Sequence, residues 1–165
     1  MAEETLDQRQ AQARQLFQAL VGSWEGTNQT WFEPGVLADT SPVRGTIRQL
    51  GDSHFVVYEY QSSMKGDTFQ GVVLYGFNSL TGLFESAWAD TFHMQTNMMN
   101  ANGPAIDNGF AVLGSFQPGP DQPAWGWRTE VTLLDPDHLT ITAFIITPQG
   151  DEGKGVETTL QRVAT

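Results

Sequence analysis

Apolar residues recur every three to four positions near the start of the chain, and polar Gln and Arg residues fill the positions between them. This spacing predicts one amphipathic helix over residues 6–20. Thr5 or Asp7 can cap its first turn, and Gly22 ends it. The apolar face of this predicted helix is formed by Leu6, Ala13, Leu16, Phe17 and Leu20.

After Gly22 the pattern changes to short segments rich in Val, Ile, Thr and aromatic residues. Turn sequences such as Pro34-Gly35 and Asp135-Pro136-Asp137 separate these segments. This alternation is typical of an all-β sandwich or barrel. Closing consecutive hairpins into a barrel removes the free edges of the sheet. Ten strands are predicted, at residues 23–33, 42–50, 54–62, 67–77, 83–91, 94–100, 109–116, 126–134, 138–146 and 155–163.

The junction between the helix and the first strand reads Leu20-Val21-Gly22-Ser23-Trp24. A Gly-x-Trp motif at this place resembles the start of the calycin group of barrels, which includes lipocalins and fatty-acid-binding proteins. The resemblance implies that Trp24 closes one end of the barrel and that Arg162, on the last strand, packs against it. A guanidinium over an indole combines stacking with cation–π attraction. We therefore expect a single antiparallel up-and-down lipocalin-like barrel of about 8–10 strands, preceded by one N-terminal α-helix.

A longer series of motifs resembles a narrower group, the domain-of-unknown-function family 1579. The resemblance covers about residues 15–163; it implies a barrel and gives no activity. Phe77 and Asn78 stand where that family usually has Tyr and Asp. The matching segments are Gly22 with Trp24, Pro34-Gly35, Gly45-Thr46-Ile47, 55–60, 76–82, 88–91, and Glu157 with Arg162.

With 165 residues, the chain has the length of one domain. We assign residues 1–165 to it, with the helix at 6–20 and the barrel at 23–163. The net charge of −11 and the lack of a basic cluster exclude nucleic-acid binding and disfavour an anionic membrane surface. There is no Cys, which excludes disulfides and thiolate chemistry. Because no signal peptide and no long apolar stretch is evident, we expect a cytoplasmic protein.

The segment 83–91 mixes aromatic and polar side chains on one face. Alternate side chains of a strand point to the same side, so Phe84, Ser86, Trp88 and Asp90 are expected together. Such a mixture suits the wall of a partly polar cavity. The alternative is that the two aromatic residues belong to a packed core and that Asp90 ends the strand in solvent.

Four further residues are candidates for the same cavity. Tyr75 lies on the corresponding face of strand 67–77. If Arg128 faces inward, it could anchor a ligand carboxylate, with Glu59 or Asp90 as its ion partner in the empty barrel; the alternative is an Arg128 that faces solvent. His93 follows Asp90 by three residues and could be a haem ligand, a general base or an ordinary loop residue.

The sequence leaves several functions open, of which binding a small hydrophobic or amphipathic molecule is the first hypothesis. The second is an enzyme that acts on a small hydrophobic substrate, with Asp90, Glu59 or His93 as acid or base. A third is haem binding through His93, resembling the nitrobindin branch of small barrels. A fourth is an interaction module with an exposed patch at Trp125 and Trp127, through which a homodimer could form. No cofactor and no metal site is predicted, because no two histidines have a metal-ligand spacing.

Overall fold

The computed structural model describes residues 4–164 and begins with the helix α1 (Leu6–Leu20). Thr5 caps this helix. Its hydroxyl accepts a hydrogen bond from the backbone amide of Gln8, and the Gln8 side chain accepts one from the Thr5 amide. This reciprocal capping box fixes the first turn of the helix where the sequence predicts it. Among residues 4–164, no helix is long and apolar enough to cross a membrane.

The buried face of α1 closes one end of the barrel. The ring of Phe17 packs edge-on against Phe84, at 5.7 Å between centroids, and against Phe110, at 6.2 Å. Edge-to-face pairs of this kind stabilise a core beyond the area that they bury. The helix residues buried in this contact region are Ala13, Phe17 and Leu20.

Within the described chain, eleven strands follow the helix and build one antiparallel sheet. Its order is β6-β5-β4-β3-β2-β1-β11-β10-β9-β8-β7, and β6 also pairs with β8. The pairing of Asn102 with Leu113 closes ten strands into a barrel, and the two-residue β7 extends one edge. The strands are β1 (Gly22–Glu33), β2 (Val36–Gln49), β3 (Val56–Met64), β4 (Asp67–Asn78), β5 (Leu83–Asp90), β6 (Met99–Gly103), β7 (Ala105–Ile106), β8 (Gly109–Phe116), β9 (Trp125–Asp135), β10 (His138–Ile146) and β11 (Glu152–Arg162).

Trp24 and Arg162 meet at the end of the barrel that α1 covers. They are direct partners in the β1–β11 ladder, and the guanidinium carbon lies 4.3 Å from the centre of the indole. The same guanidinium donates hydrogen bonds to the carbonyls of Ala19 and Val21, each at 2.7 Å. A cation therefore satisfies carbonyl groups that the helix leaves unpaired at its C-terminal end.

Gly22 makes room for this arrangement. Its φ of +151° lies outside the range that L side chains readily adopt, and a Cβ atom here would collide with Nη1 of Arg162. The Gly-x-Trp motif is thus explained by two separate contacts of Arg162, one with the glycine backbone and one with the indole of Trp24.

The strand bounds differ most from the predicted ones at two places, and the short β7 was not predicted. β2 begins at Val36, before the predicted 42. Residues 94–98, predicted as part of a strand, form turns and irregular structure before β6. The Asp90 carboxylate accepts hydrogen bonds from the backbone amides of Phe92 and Met94, at 3.2 and 2.8 Å. These side chain–backbone bonds turn the chain away from the sheet, which a pattern of apolar residues does not register.

Candidate functional site

The interior of the barrel contains a cavity that the side chains do not fill. The centres of water molecules can occupy about 90 Å³ of it. Since one water needs roughly 10–15 Å³ of such space, there is room for several waters or one small molecule. Its aromatic lining comprises Tyr58, Tyr60, Phe69, Tyr75, Trp88 and Trp127, and its polar lining includes Asn28, Ser86, His93, Thr129 and Thr158.

Asp90 and His93 form a buried pair at the end of the cavity opposite α1. Nδ1 of His93 lies 2.7 Å from Oδ2 of Asp90, and the Asp90 side chain has no exposed surface. Burial alone would raise the pKa of Asp90. Hydrogen bonds from His93 and from the Met94 amide outweigh it and lower the pKa below its ordinary value. The carboxylate is therefore ionised and can only accept a hydrogen bond, so Nδ1 carries the proton.

The other nitrogen of His93 lacks a partner. Nε2 is buried, and no hydrogen-bonding group among residues 4–164 reaches it. Four aromatic rings surround the imidazole at centroid distances of 4.7 to 5.9 Å. When the ring carries a single proton, on Nδ1, Nε2 is a hydrogen-bond acceptor. The four rings are those of Phe69, Trp88, Phe92 and Trp127.

A chain of hydrogen bonds supports the pair from the cavity wall. The indole N–H of Trp88 donates to the hydroxyl of Tyr60 at 2.9 Å, and this hydroxyl donates to Oδ2 of Asp90 at 3.3 Å. Burial, followed by the negative charge of Asp90, raises the pKa of Tyr60 well above its ordinary value, so its phenol stays neutral. The Tyr60 ring covers Gly71, where a Cβ atom would collide with it. The absence of a side chain at Gly71 thus makes room for the Tyr60 ring.

A second space, which we call the outer groove, lies on the far side of the same wall. Trp88, His93, Met99 and Trp127 line both the cavity and the groove. The rings of Trp88 and Trp127 stack at 5.4 Å between centroids. The wall between the groove and the interior is therefore only one layer of side chains thick. The remaining groove residues include Phe32, Phe92, Met94, Met98, Phe116 and Pro120.

The structure places the predicted site residues in four kinds of surroundings: the cavity wall, the layer behind it, the core and the outer surface. Tyr75, Ser86, Trp88 and His93 line the cavity. Asp90 is on the inward face as expected and is 4% exposed, directly behind His93. The solvent-exposed alternative for Asp90 was therefore wrong.

Phe84 forms part of the core instead of the cavity wall. It is 4% exposed and stacks on Phe110 at 4.5 Å between centroids. It fills the barrel between α1 and the cavity, because the helix contributes Phe17 at that depth.

Arg128 and Glu59, both candidates for the cavity, do not line it, and the solvent-facing alternative for Arg128 holds. The Arg128 guanidinium forms ion pairs with Glu130 and Glu152, the latter at 2.6 Å. Glu59 is on the outer face, with 56% of its side chain exposed, and pairs with Arg48 at 3.5 Å. Charged side chains on the outer face of the barrel keep their contact with water and can pair with oppositely charged side chains of neighbouring strands. Burial inside the barrel would remove that hydration.

Several residues of the cavity were not predicted. Trp127, expected in an outer patch with Trp125, lines the cavity. Tyr58 and Tyr60 follow each other at the period of two that strands show, which is the signal that could have revealed them. Asn28 accepts a hydrogen bond from the Thr158 hydroxyl at 2.8 Å. That pairing joins two distant parts of the sequence, so no local pattern marks it.

The fit of a haem group can be tested on this geometry. An apolar cavity of about 150 Å³ holds a benzene ring, whereas the space here is about 90 Å³. A haem macrocycle does not fit in the cavity. Within residues 4–164, no group of three or more His, Asp or Glu residues is placed to hold a metal ion.

Comparisons with known proteins agree with the architecture. A family profile described as "Protein of unknown function (DUF1579)" matches residues 9–162. No curated protein matches the chain. The crystal structure of Rv2717c from M. tuberculosis is similar with a TM-score of 0.63 at 14% identity, over 92% of this chain and 98% of that one; it shows the same barrel fold. S-type phycobiliprotein lyase CPES from Guillardia theta has a TM-score of 0.49 at 13% identity, covering 95% and 98% of the two chains.

Proposed function

The chain belongs to the DUF1579 family of proteins of unknown function, and we propose that its barrel binds a small, largely apolar molecule in the cavity. The observation that carries this proposal is the buried and unpartnered Nε2 of His93 beside a cavity lined mainly by aromatic and aliphatic side chains. A few polar groups in an apolar, enclosed space are the usual composition of a small-molecule site.

The ligand would reach the cavity from the outer groove. Trp88 and Trp127 separate the two spaces and are only partly buried. The groove also carries exposed apolar side chains, with Met98 69% and Phe32 59% exposed. An apolar molecule can collect on such a surface before the thin wall opens. The opposite end is covered by α1 and by the Trp24–Arg162 contact.

A pair of matched variants tests the proposal. Ala101 lines the cavity on β6, whereas Ala87 on β5 points outward. Ala101→Phe should fill the cavity, and Ala87→Phe adds the same side chain outside. Native mass spectrometry of each protein purified from its source cells should detect a bound small molecule in the unmodified protein and in Ala87→Phe. It should be lost in Ala101→Phe. Equal retention in both variants would place the molecule outside the cavity.

A second candidate function, acid–base catalysis, is favoured by the Asp90–His93 pair. A carboxylate that orients an imidazole is a common general-base arrangement. The probe p-nitrophenyl acetate, a single-ring ester, tests it, because a base assists the attack of water on the ester carbonyl, which releases acetate and p-nitrophenolate. A general base here should accelerate the reaction at least about 100-fold over His93→Phe. Equal rates in the two proteins would remove this function.

A further inference from the structure

The polar end of the ligand can be specified from the charges around the cavity, and this step rests on the proposed function. We infer that the ligand is a neutral, single-ring aromatic molecule with a phenol-type O–H or a heteroaromatic N–H, which donates to Nε2 of His93. Three separate observations lead to this class: the state of His93, the lack of a cation, and the size and aromatic character of the cavity.

The first observation is the unpartnered nitrogen of His93. Nδ1 lies 2.7 Å from the Asp90 carboxylate, and Nε2 is buried with no partner among the described residues. With the single proton on Nδ1, facing the carboxylate, Nε2 is an acceptor. A second proton on Nε2 would bury an N–H among four aromatic rings with nothing to receive it. The ligand must therefore bring a donor. Nε2 is shielded by its neighbours, so the ligand reaches it when the Trp88 or Trp127 ring shifts on passage from the outer groove.

The second observation is the absence of positive charge from the lining. Among the described residues, no Lys or Arg lines the cavity, and Arg128 is held outside by Glu130 and Glu152. The ionised Asp90 lies directly behind His93. A carboxylate ligand would lose its hydration, meet no cation and approach a buried negative charge. Fatty acids and other carboxylates are thus disfavoured.

The third observation is the small size and the aromatic lining of the cavity. Its space of about 90 Å³ is below the roughly 150 Å³ of a cavity that holds benzene. A single ring is therefore the largest flat group that the cavity can take, and the wall must move for it to enter. The stacked and edge-on partners around His93 suit a flat ring in offset or edge-to-face contact.

The test uses three toluenes that differ in their para substituent, on the whole protein. They are p-cresol, a phenol; 4-methylanisole, in which a methyl ether removes the donor; and p-toluate, a carboxylate. Isothermal titration calorimetry measures their dissociation constants. We expect p-cresol to bind about tenfold more tightly than 4-methylanisole. This difference in affinity is what one hydrogen bond to a buried and otherwise unpaired acceptor contributes. We expect no binding of p-toluate.

His138 supplies a matched control for the role of His93. Its Nδ1 lies 2.8 Å from Asp135 at the same three-residue spacing, but on the surface. In the unmodified protein, the ¹⁵N resonance of His93 Nε2 should shift with p-cresol and much less with 4-methylanisole, while that of His138 stays constant. His93→Phe should reduce p-cresol affinity to that of the ether, and His138→Phe should not.

The outcomes separate the two proposals. Equal affinity for p-cresol and 4-methylanisole would overturn the donor inference and leave apolar ligand binding intact. Tightest binding of p-toluate would show a charged imidazolium and would also overturn the inference alone. If none of the three probes binds at millimolar concentration, ligand binding in the cavity itself is contradicted. The expected order, together with the His93 shift, supports both.

Discussion

The guanidinium of Arg162 lies 4.3 Å from the centre of the Trp24 indole and also bonds the carbonyls of Ala19 and Val21. One side chain therefore joins the first strand, the last strand and the end of the helix. The last strand is far in sequence from the helix and from the first strand, and Arg162 holds the three together. The closed end of the barrel therefore depends on this contact.

Replacing Arg162 by Lys should destabilise the fold by about 2 kcal/mol, because Lys keeps the charge but loses the planar fork that reaches two carbonyls. Urea unfolding of the purified proteins measures the difference. Arg44→Lys is the control, since the exposed Arg44 donates a hydrogen bond at 3.2 Å to Gln61, and the change should cost less than about 0.5 kcal/mol. Equal effects of the two changes would contradict the role of Arg162.

Gly22→Ala tests the close approach of Arg162 to the backbone. Both Gly22 and Gly35 have positive φ, but only at Gly22 would a Cβ atom meet Arg162; at Gly35 nothing lies within 4 Å. Gly35→Ala should therefore show backbone strain alone, about 1 kcal/mol. Gly22→Ala should show a larger loss, by about 1–2 kcal/mol more, because the guanidinium must move. Thermal unfolding of both variants under one condition compares them.

The three tyrosines of the protein are the cavity residues Tyr58, Tyr60 and Tyr75. Burial raises the pKa of each of them above the ordinary value of 10.0. Because the pKa of each phenol is higher in the folded protein than in the unfolded protein, the neutral phenols stabilise the fold below pH 10. This stabilisation is lost as the pH rises above 10. The unfolding free energy should fall above pH 10 by up to about 4 kcal/mol per pH unit, for three phenols.

Absorbance of the phenolate measures this directly. It should appear together with unfolding and not before it, and Tyr75→Phe should remove about one third of the slope. Phenolate absorbance that grows near pH 10 in the folded protein would show that the tyrosines are open to solvent.

Much of the fold could be predicted from the sequence, because its signals are local. The period of α1, the capping of Thr5 and the turn sequences depend on neighbouring residues, and the structure has α1 at Leu6–Leu20. The Gly-x-Trp motif with Arg162 indicated closure because it resembles a known group of barrels. The early start of β2 escaped prediction because Thr, Asp and Ser between 36 and 42 weaken the strand pattern.

The site was predictable only in part. The alternation of side chains along a strand correctly predicted that Ser86, Trp88 and Asp90 share one face. It could not decide whether Arg128 faces inward, because that depends on Glu152 of another strand. It also could not show that Asp90 would turn the chain and fold His93 back over the barrel. Such contacts depend on three-dimensional arrangement rather than on spacing.

Asp90→Asn tests how the carboxylate positions His93. The pKa of Asp90 is lowered in the folded state, so its stabilisation is present above its ordinary pKa near 3.8 and is lost as the pH falls through the lower folded value. The variant should be less stable by about 1–3 kcal/mol at pH 7, and the difference should shrink in acid below pH 3.8. Asp135→Asn, at the exposed pair with His138, is the control and should change stability little.

The same variant should alter ligand choice. An asparagine amide can donate to Nδ1, which would place the proton on Nε2 and remove its acceptor. The preference of p-cresol over 4-methylanisole should then disappear although the cavity remains. A preference that survives in a folded Asp90→Asn protein would contradict the positioning role of the carboxylate.

The measurement that tests the central claim most directly is a crystal structure of the protein grown with p-cresol. We predict that the ring lies inside the barrel and that its hydroxyl oxygen is about 2.6–3.2 Å from Nε2 of His93. Trp88 or Trp127 should be displaced from the stacked arrangement that separates the cavity from the outer groove. A cresol molecule found only in the groove, with the cavity unchanged, would contradict the account.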